Sequence, residues 1–318
     1  MNLTSTKRLV YVLVVGLVAV GLLAACGKKE PQKLKIGLLP IIDSLPFYVA
    51  EQEGYFVAEN LVVELTTFSS ALERDTALQT GQTDGQLADL IASGLLNKEK
   101  ERIKIVKTTY AATPQKAMIS LIAGKDSKIS SPADLKGKQV GISENSLIDY
   151  ITDELLKGVG MTAKDVQKVG IPSIAVRMQM LTQGQLDAAT LPDPFAALAV
   201  ASGGRVVLAD GEQRIGLSVL EFRTEALDKQ KDAIKRLVRA HEKAVATVKK
   251  DPEKYRALLV EKARLPDAVK DTFPVPAFPE NAIPSRADVQ RAVDWMVGAG
   301  LLPRALTYEQ LVDASYVK

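Results

Sequence analysis

An internal repeat constrains the fold of this 318-residue chain more than any other feature. The segment GLLPIIDSLPFYVAEQEG at residues 37–54 corresponds to GISENSLIDYITDELLKG at residues 141–158, at an offset of 104. The segment SALERDTALQTGQTDG at residues 70–85 corresponds to SIAVRMQMLTQGQLDA at residues 173–188, at an offset of 103. Because the two matched pairs keep nearly one offset, which is far longer than a solenoid period, the repeat predicts two lobes with the same core topology.

Each predicted lobe alternates strands with helices. Short apolar runs predict the strands, and polar-flanked amphipathic segments predict the helices between them. Such alternation is typical of a parallel sheet flanked by helices, so the predicted fold class is α/β. The predicted strands lie near residues 34–39, 61–66, 83–87, 139–142, 167–171 and 187–190, and the helices near 46–53, 71–80, 146–157 and 174–183. A longer amphipathic helix is predicted over 227–249, with the sole histidine, His241, as a solvated residue on it.

Polar side chains follow the predicted strands where each strand ends. In open α/β sheets, ligands bind outside the carboxyl ends of the strands. Four carboxylates lie at these ends, and Lys and Arg are absent from the loops themselves. The candidate ligand-binding residues are Asp43, Ser44, Phe47, Ser69, Asp89, Glu144, Asn145, Ser173, Asp193 and Phe195. Whether Arg74 and Arg177, each four residues into a helix, also reach this cleft is left open.

Helix capping is the competing explanation for these polar residues. Ser70 followed by Glu73, and Ser146 followed by Asp149, have the spacing of a capping box. A carboxylate or hydroxyl just before a helix commonly accepts a hydrogen bond from a free backbone N–H of the first turn. Each candidate taken singly therefore fits a cap as well as a ligand contact, whereas four carboxylates at one cleft favour a binding site.

The first 26 residues have the pattern of a secretion signal. Lys7 and Arg8 precede the uncharged apolar run VYVLVVGLVAVGLLAA, which is shorter than the roughly 20 residues of a membrane-spanning helix. The run ends in LAAC at Cys26, the sole cysteine, and this tetrad resembles the bacterial lipobox. The resemblance implies cleavage before Cys26 and lipidation of its thiol, with residues 27–33 as a polar tether. The alternatives are an ordinary signal peptide or an uncleaved anchor.

Several longer stretches resemble one transport family. They are LPIIDSLPFYVAEQEGYF, FSSALERDTALQTGQTDGQLADL, DLKGKQVGI and LTQGQLDAATLPDPFAALA. They are similar to the solute-binding proteins of ABC importers, in the group that binds nitrate, sulfonates, taurine and thiamine pyrimidines. The resemblance implies the two-lobe type II periplasmic-binding-protein fold, with the ligand in a cleft between the lobes. It places lobe I at residues 34–120 and 212–318, and lobe II at residues 121–211.

The resemblance also implies the function and the partners. The expected protein is a monomeric, lipid-anchored binding protein on the extracytoplasmic face of the cell membrane, on the periplasmic side in a Gram-negative cell. It delivers a small-molecule solute to an ABC permease and its ATPase, without a cofactor or metal. A net charge of +3 with dispersed Lys and Arg gives no nucleic-acid footprint. A receptor for a membrane sensor is an alternative. A thiamine-pyrimidine-synthase-like enzyme is disfavoured by the single Cys and the single His.

The charge of the candidate cleft residues predicts the ligand class. Helix N-termini attract anions, but each contributes only about 0.3–1 kcal/mol for a nearby charge. A carboxylate about 4 Å from an anion costs on the order of 4 kcal/mol at an effective dielectric near 20. The four carboxylates therefore favour a neutral or cationic nitrogenous solute, such as a thiamine-pyrimidine-like heterocycle. The alternative is an anion such as nitrate, taurine or another sulfonate, if the carboxylates only cap helices.

Overall fold

The computed structural model describes residues 30–317, which contain ten strands and eleven α-helices. The strands are β1 (Gln32–Leu38), β2 (Leu61–Thr67), β3 (Gly85–Asp89), β4 (Ile103–Ala111), β5 (Ile119–Ala123), β6 (Gln139–Ile142), β7 (Gln167–Gly170), β8 (Ala188–Pro192), β9 (Arg205–Ala209) and β10 (Leu217–Arg223). The helices are α1 (Leu45–Gln52), α2 (Tyr55–Ala58), α3 (Ala71–Gln79), α4 (Leu90–Leu96), α5 (Leu147–Gly158), α6 (Ile174–Thr182), α7 (Phe195–Ala201), α8 (Thr224–Lys250), α9 (Arg256–Lys262), α10 (Arg286–Gly298) and α11 (Tyr308–Leu311).

The strands form two five-stranded sheets with equivalent orders, β2-β1-β3-β10-β4 and β7-β6-β8-β5-β9. In each sheet, one strand runs antiparallel to both of its neighbours: β10 in the first sheet and β5 in the second. Each of these strands follows, in the chain, a strand of the other sheet. The two-lobe α/β fold is confirmed, and the antiparallel strands add to the parallel core that the sequence predicts. We call the sheet containing β1 the first lobe and the sheet containing β6 the second lobe. The residue boundaries given above for lobes I and II stay a prediction.

An equivalent hydrogen bond occurs within each half of the repeat. In the first lobe, Asp84 Oδ2 accepts a hydrogen bond from the Lys35 N–H at 2.9 Å. In the second lobe, Asp187 Oδ2 accepts one from the Gln139 N–H at 3.0 Å. Asp84 thus ties the turn before β3 to β1, and Asp187 ties the turn before β8 to the start of β6. The matched residues Asp84 and Asp187 of the repeat therefore make the same hydrogen bond in both lobes.

The predicted elements lie within a few residues of the observed ones, because period and capping are local signals. Ser70 and Ser146 cap α3 and α5, as their spacing indicates. Near the C-terminus, the short helix α11 is followed by a separate 3-10 turn over Ala314–Tyr316. The expectation that His241 is solvated is wrong. Its side chain is fully buried against Phe47, with the ring centroids 4.7 Å apart.

The N-terminal signal lies outside the described residues, and so does Cys26. Among residues 30–317, none of the helices combines the length and the apolar character needed to cross a bilayer.

Candidate functional site

A cavity of about 70 Å³ lies between the two lobes, at the carboxyl ends of their strands. Its wall includes Asp43 and Asp89 from the first lobe and Ser143 and Pro192 from the second. A single buried water needs about 10–15 Å³ of such volume, so the cavity has room for several waters. This is the size of a small solute.

Asp43 lies in the 3-10 turn that follows β1, and its side chain is only 2% exposed. Its Oδ2 accepts a hydrogen bond from the hydroxyl of Ser218 on β10. Its Oδ1 has no hydrogen-bond partner within residues 30–317. Burial raises the pKa of Asp43 to about 6, although the Ser218 bond and the charge of Arg74 oppose this. Asp43 therefore offers a buried acceptor to a donor group inside the cavity.

Asp89 has two roles at the same wall. Its Oδ1 accepts hydrogen bonds from the N–H groups of Ile91 and Ala92, both at 3.0 Å, and so caps α4. Its Oδ2 lies 3.9 Å from Nη2 of Arg74. Burial raises the pKa of this carboxyl, while the charge of Arg74 lowers it. Capping and cavity lining are thus combined in one residue, which the sequence patterns treat as alternatives.

Arg74 reaches the cavity from α3, which resolves the question that the sequence leaves open. Its side chain is 3% exposed, and Nη1 donates to the carbonyl of Leu87 at 2.9 Å. Its Nε and Nη2 donate to Oδ1 of Asp75 at 2.9 and 2.8 Å. A Cβ on Gly37 would lie 3.3 Å from Cγ of Arg74, so the glycine leaves room for the arginine to cross the sheet. The positive charge of Arg74 is balanced by the nearby carboxylates of Asp75 and Asp89.

Arg177 is the equivalent residue of the second lobe and also lines the cavity. Its Nε donates to the carbonyl of Thr190 at 3.0 Å, which matches the Arg74–Leu87 bond, and Nη1 donates to Ile171 at 2.6 Å. Its Nη2 is buried without a hydrogen-bond partner within residues 30–317. Burial lowers the pKa of Arg177 to about 10, and no described charged group contributes to the shift. The side chain still carries its charge at neutral pH.

The other predicted site residues lie outside the lining of this cavity. Ser44 donates to the carbonyl of Leu39 at 2.8 Å, and Asp193 pairs with Lys116 at 2.7 Å. The remaining six sit in the core of the first lobe (Phe47), at helix starts (Ser69, Ser173, Phe195) or on an exposed turn (Glu144, Asn145). As ligand contacts, these eight residues stay a prediction.

Five polar residues of the cavity lining were not among the predicted ligand contacts: Arg74, Ser143, Ser146, Arg177 and Ser218. Ser146 was assigned to helix capping, and Ser143 precedes the same helix start. Arg74 and Arg177 carried a signal, because they occupy matching positions of the repeat. Ser218 carried none, since it reaches Asp43 across 175 residues of chain and only the pairing of β10 with β3 brings it there. Among residues 30–317, no group of His, Cys, Asp and Glu side chains is arranged to hold a metal ion.

Comparison with known proteins gives consistent matches. The family model described as NMT1/THI5 like matches residues 41–255. A putative thiamine biosynthesis protein of Haemophilus influenzae is 31% identical over 150 residues, which span 46% of this chain and 45% of that protein. A putative aliphatic sulfonates-binding protein of Escherichia coli is 24% identical over 96% of both chains. The crystal structure of the periplasmic aliphatic sulphonate binding protein SsuA from Escherichia coli superposes with a TM-score of 0.74, at 20% identity, over 88% of this chain and 97% of that one.

Proposed function

Because the chain belongs to the NMT1/THI5-like family, we propose that it is an extracytoplasmic solute-binding protein that captures a small solute and delivers it to an ABC importer. The observation that carries this proposal is the cavity between the lobes, whose lining includes two residues with buried, unpartnered polar atoms, one from each lobe. Buried polar groups are nearly always hydrogen-bonded in native proteins, so such atoms point to a ligand. Lipid anchoring through Cys26 belongs to the same proposal.

The proposed ligand must satisfy charges of both signs. Asp43 supports the nitrogenous solute that the sequence favours, because it accepts a hydrogen bond from a donor. Arg177 supports the anionic alternative, because its guanidinium donates and lacks a counter-ion among the described residues. The sequence favoured a neutral or cationic ligand because four carboxylates were expected at the cleft. This cavity is instead lined by two carboxylates and two guanidinium groups.

A binding role is favoured over an enzymatic one by the position of the only histidine. The enzyme alternative depends on His and Cys chemistry, but His241 is packed in the core of the first lobe against Phe47. The lining of the cavity, as far as the described chain shows it, contains neither residue type. Stimulation of the ATPase of a cognate importer in vesicles would separate a transport subunit from a sensor receptor.

A thermal-shift screen of the full-length chain in mild detergent tests the binding role. A solute that binds only the folded state raises the melting temperature. The screen covers amines, amino acids, sulfonates, nitrate, vitamins and nitrogen heterocycles. The variant Ala71→Phe places a bulky ring at the half-buried cavity wall and should abolish the shift, whereas the exposed neighbour variant Leu72→Phe should retain it. A screen in which none of these classes shifts the wild type would argue against the proposal.

A further inference from the structure

We infer that Lys168 is a positioning residue of the site: it joins the turn that lines the second-lobe wall of the cavity to the side chain of Trp295 in the first lobe, and so holds that wall in place. Lys168 itself lies outside the lining of the cavity. We call the chain of contacts Trp295–Asp153–Lys168–Asp149 the interlobe relay. The inference rests on the proposed function and concerns the regulation of that same site.

Asp149 is the end of the interlobe relay that reaches the cavity. Its Oδ2 accepts a hydrogen bond from the Asn145 N–H at 2.9 Å. The backbone of Asn145 has a φ of 55°, in the left-handed region that costs free energy for residues other than glycine. Ser143 and Ser146, on either side of this turn, line the cavity, and the Ser146 hydroxyl donates to the Ser143 carbonyl at 2.6 Å. The Asp149 carboxylate therefore stabilises the turn whose serines form part of the cavity wall.

Trp295 is the end of the interlobe relay that lies in the first lobe. Its helix, α10, packs against α4 of that lobe through the fully buried Met296, which occupies the space that a Cβ on Gly94 would need. Trp295 Nε1 donates to Oδ2 of Asp153 on α5 at 3.0 Å, and its ring meets that of Tyr150 with the centroids 5.4 Å apart. Helix α5 therefore lines the cavity with its first turn and contacts the other lobe one turn later.

Lys168 joins these two ends. Its Nζ lies 2.6 Å from Oδ1 of Asp149 and 2.5 Å from Oδ1 of Asp153. Burial lowers the pKa of Lys168, but the hydrogen bonds and charges of the two carboxylates outweigh burial and raise it, so the ammonium stays charged. Without this charge, two carboxylates on successive turns of one helix would repel each other. The Asp149 carboxylate would then no longer be held in position to accept from the Asn145 N–H.

The repeat shows that the fold does not need these charges. At the offset of 104 residues, the first lobe carries Leu45 and Val49 in place of Asp149 and Asp153, and both are buried in its core. Replacement of a buried ion pair by apolar side chains is often neutral or stabilising. The second lobe thus has a polar relay where the equivalent helix of the first lobe packs with apolar residues, which points to a role in the site rather than in stability.

Amide hydrogen exchange of the full-length chain in mild detergent, without added solute, tests the inference. In Lys168→Met, the amides of residues 143–149 should exchange about tenfold faster than in the wild type, because the turn loses its fixed acceptor. Lys168→Arg retains the charge and should restore most of the protection. Trp295→Phe removes the N–H but keeps a ring, and it should also speed exchange of this segment. Residues 39–45, the corresponding segment of the first lobe, are the internal control and should be unchanged.

Two further variants separate the interlobe relay from a general loss of stability. Lys168→Met combined with Trp295→Phe should exchange no faster over residues 143–149 than Lys168→Met alone, since both changes interrupt one chain of contacts. Tyr308→Phe removes a hydrogen bond of 3.0 Å to the Pro284 carbonyl within the first lobe and should leave this segment unchanged. Unchanged exchange of residues 143–149 in Lys168→Met or in Trp295→Phe overturns the inference, and so does an equal change in residues 39–45.

Binding measurements separate this inference from the proposed function. The amines, amino acids, sulfonates, nitrate, vitamins and nitrogen heterocycles that raise the melting temperature of the wild type are titrated by calorimetry against the Lys168 variants. Lys168→Met should weaken their binding about fivefold, and Lys168→Arg should recover it. Equal affinity in the wild type and Lys168→Met overturns the inference while the proposed function stands. If no compound binds, the proposed function fails, and the exchange comparison alone decides the inference.

Discussion

Glu221 offers a test of the electrostatics behind the site. It lies on β10, is fully buried, and its Oε1 accepts a hydrogen bond from Nε2 of Gln86 at 2.7 Å. Its Oε2 lies within hydrogen-bonding distance of the Ser93 hydroxyl. The same hydroxyl lies 2.9 Å from the carbonyl oxygen of Asp89, to which it can also donate. A hydroxyl has one hydrogen. If Ser93 donates it to Asp89, the contact with Glu221 requires a proton on the glutamate.

The pKa of Glu221 agrees with a neutral carboxyl group. Burial raises this pKa from 4.5 to about 8, and the charge of Asp75 adds to the shift, while Ser93, Gln86 and Arg74 oppose it. The stability that protonated Glu221 contributes is fully present below pH 4.5 and is lost as the pH rises through 8. Between pH 5 and pH 7, ionisation of the unfolded chain alone removes on the order of 3 kcal/mol at about 1.4 kcal/mol per unit.

The variant Glu221→Gln imitates the neutral carboxyl and cannot ionise. We expect its free energy of unfolding relative to the wild type to increase by about 3 kcal/mol between pH 5 and pH 7. Urea unfolding of both proteins, followed by the fluorescence of the single tryptophan Trp295, measures this difference. For the exposed control Glu212→Gln, the difference in free energy of unfolding from the wild type should not change between pH 5 and pH 7. A difference for Glu221→Gln that changes by less than about 0.5 kcal/mol over this range would refute the reasoning, because it corresponds to a pKa shift of less than about one unit.

Three further predictions follow from other parts of the chain. Burial, with the charge of Lys107, holds the pKa of His241 well below 6.5. The wild type should therefore lose about 1.4 kcal/mol of stability for each pH unit below the ordinary histidine pKa. In urea titrations, His241→Phe should make this pH dependence flatter, and an unchanged dependence would contradict the prediction. Trp295 on α10 donates to Oδ2 of Asp153 on α5 at 3.0 Å, so Trp295→Phe should lower the melting temperature by an amount equivalent to about 1.5–3 kcal/mol; a variant as stable as the wild type would show that this bond contributes nothing net. Cys26→Ala should abolish incorporation of a labelled fatty acid, and equal labelling of both proteins would disprove lipidation at this cysteine.

The features that the sequence predicted correctly are those that depend on local signals. The alternation of strands and helices, the caps at Ser70 and Ser146, and the matched residues of the repeat all depend on spacings within a few residues or on self-similarity. The two-lobe fold and the expectation of a candidate site at the strand ends follow from these signals. Arg74 and Arg177 stood out as a matched pair for the same reason, although sequence spacing could not say which way their side chains point.

The sequence by itself therefore determined the two-lobe architecture and pointed to the strand ends where the cavity lies, whereas the tertiary structure decided the charge of the cavity. Asp43 meets Ser218 only because β10 returns to the first sheet, and Asp193 is occupied by Lys116 rather than facing the cavity. Arg177 is uncompensated because no described carboxylate lies close enough to it in the folded structure to act on its pKa. Electrostatic interactions depend on distance and burial after folding, so a count of charged residues in loops cannot give the sign of a site that long-range contacts assemble.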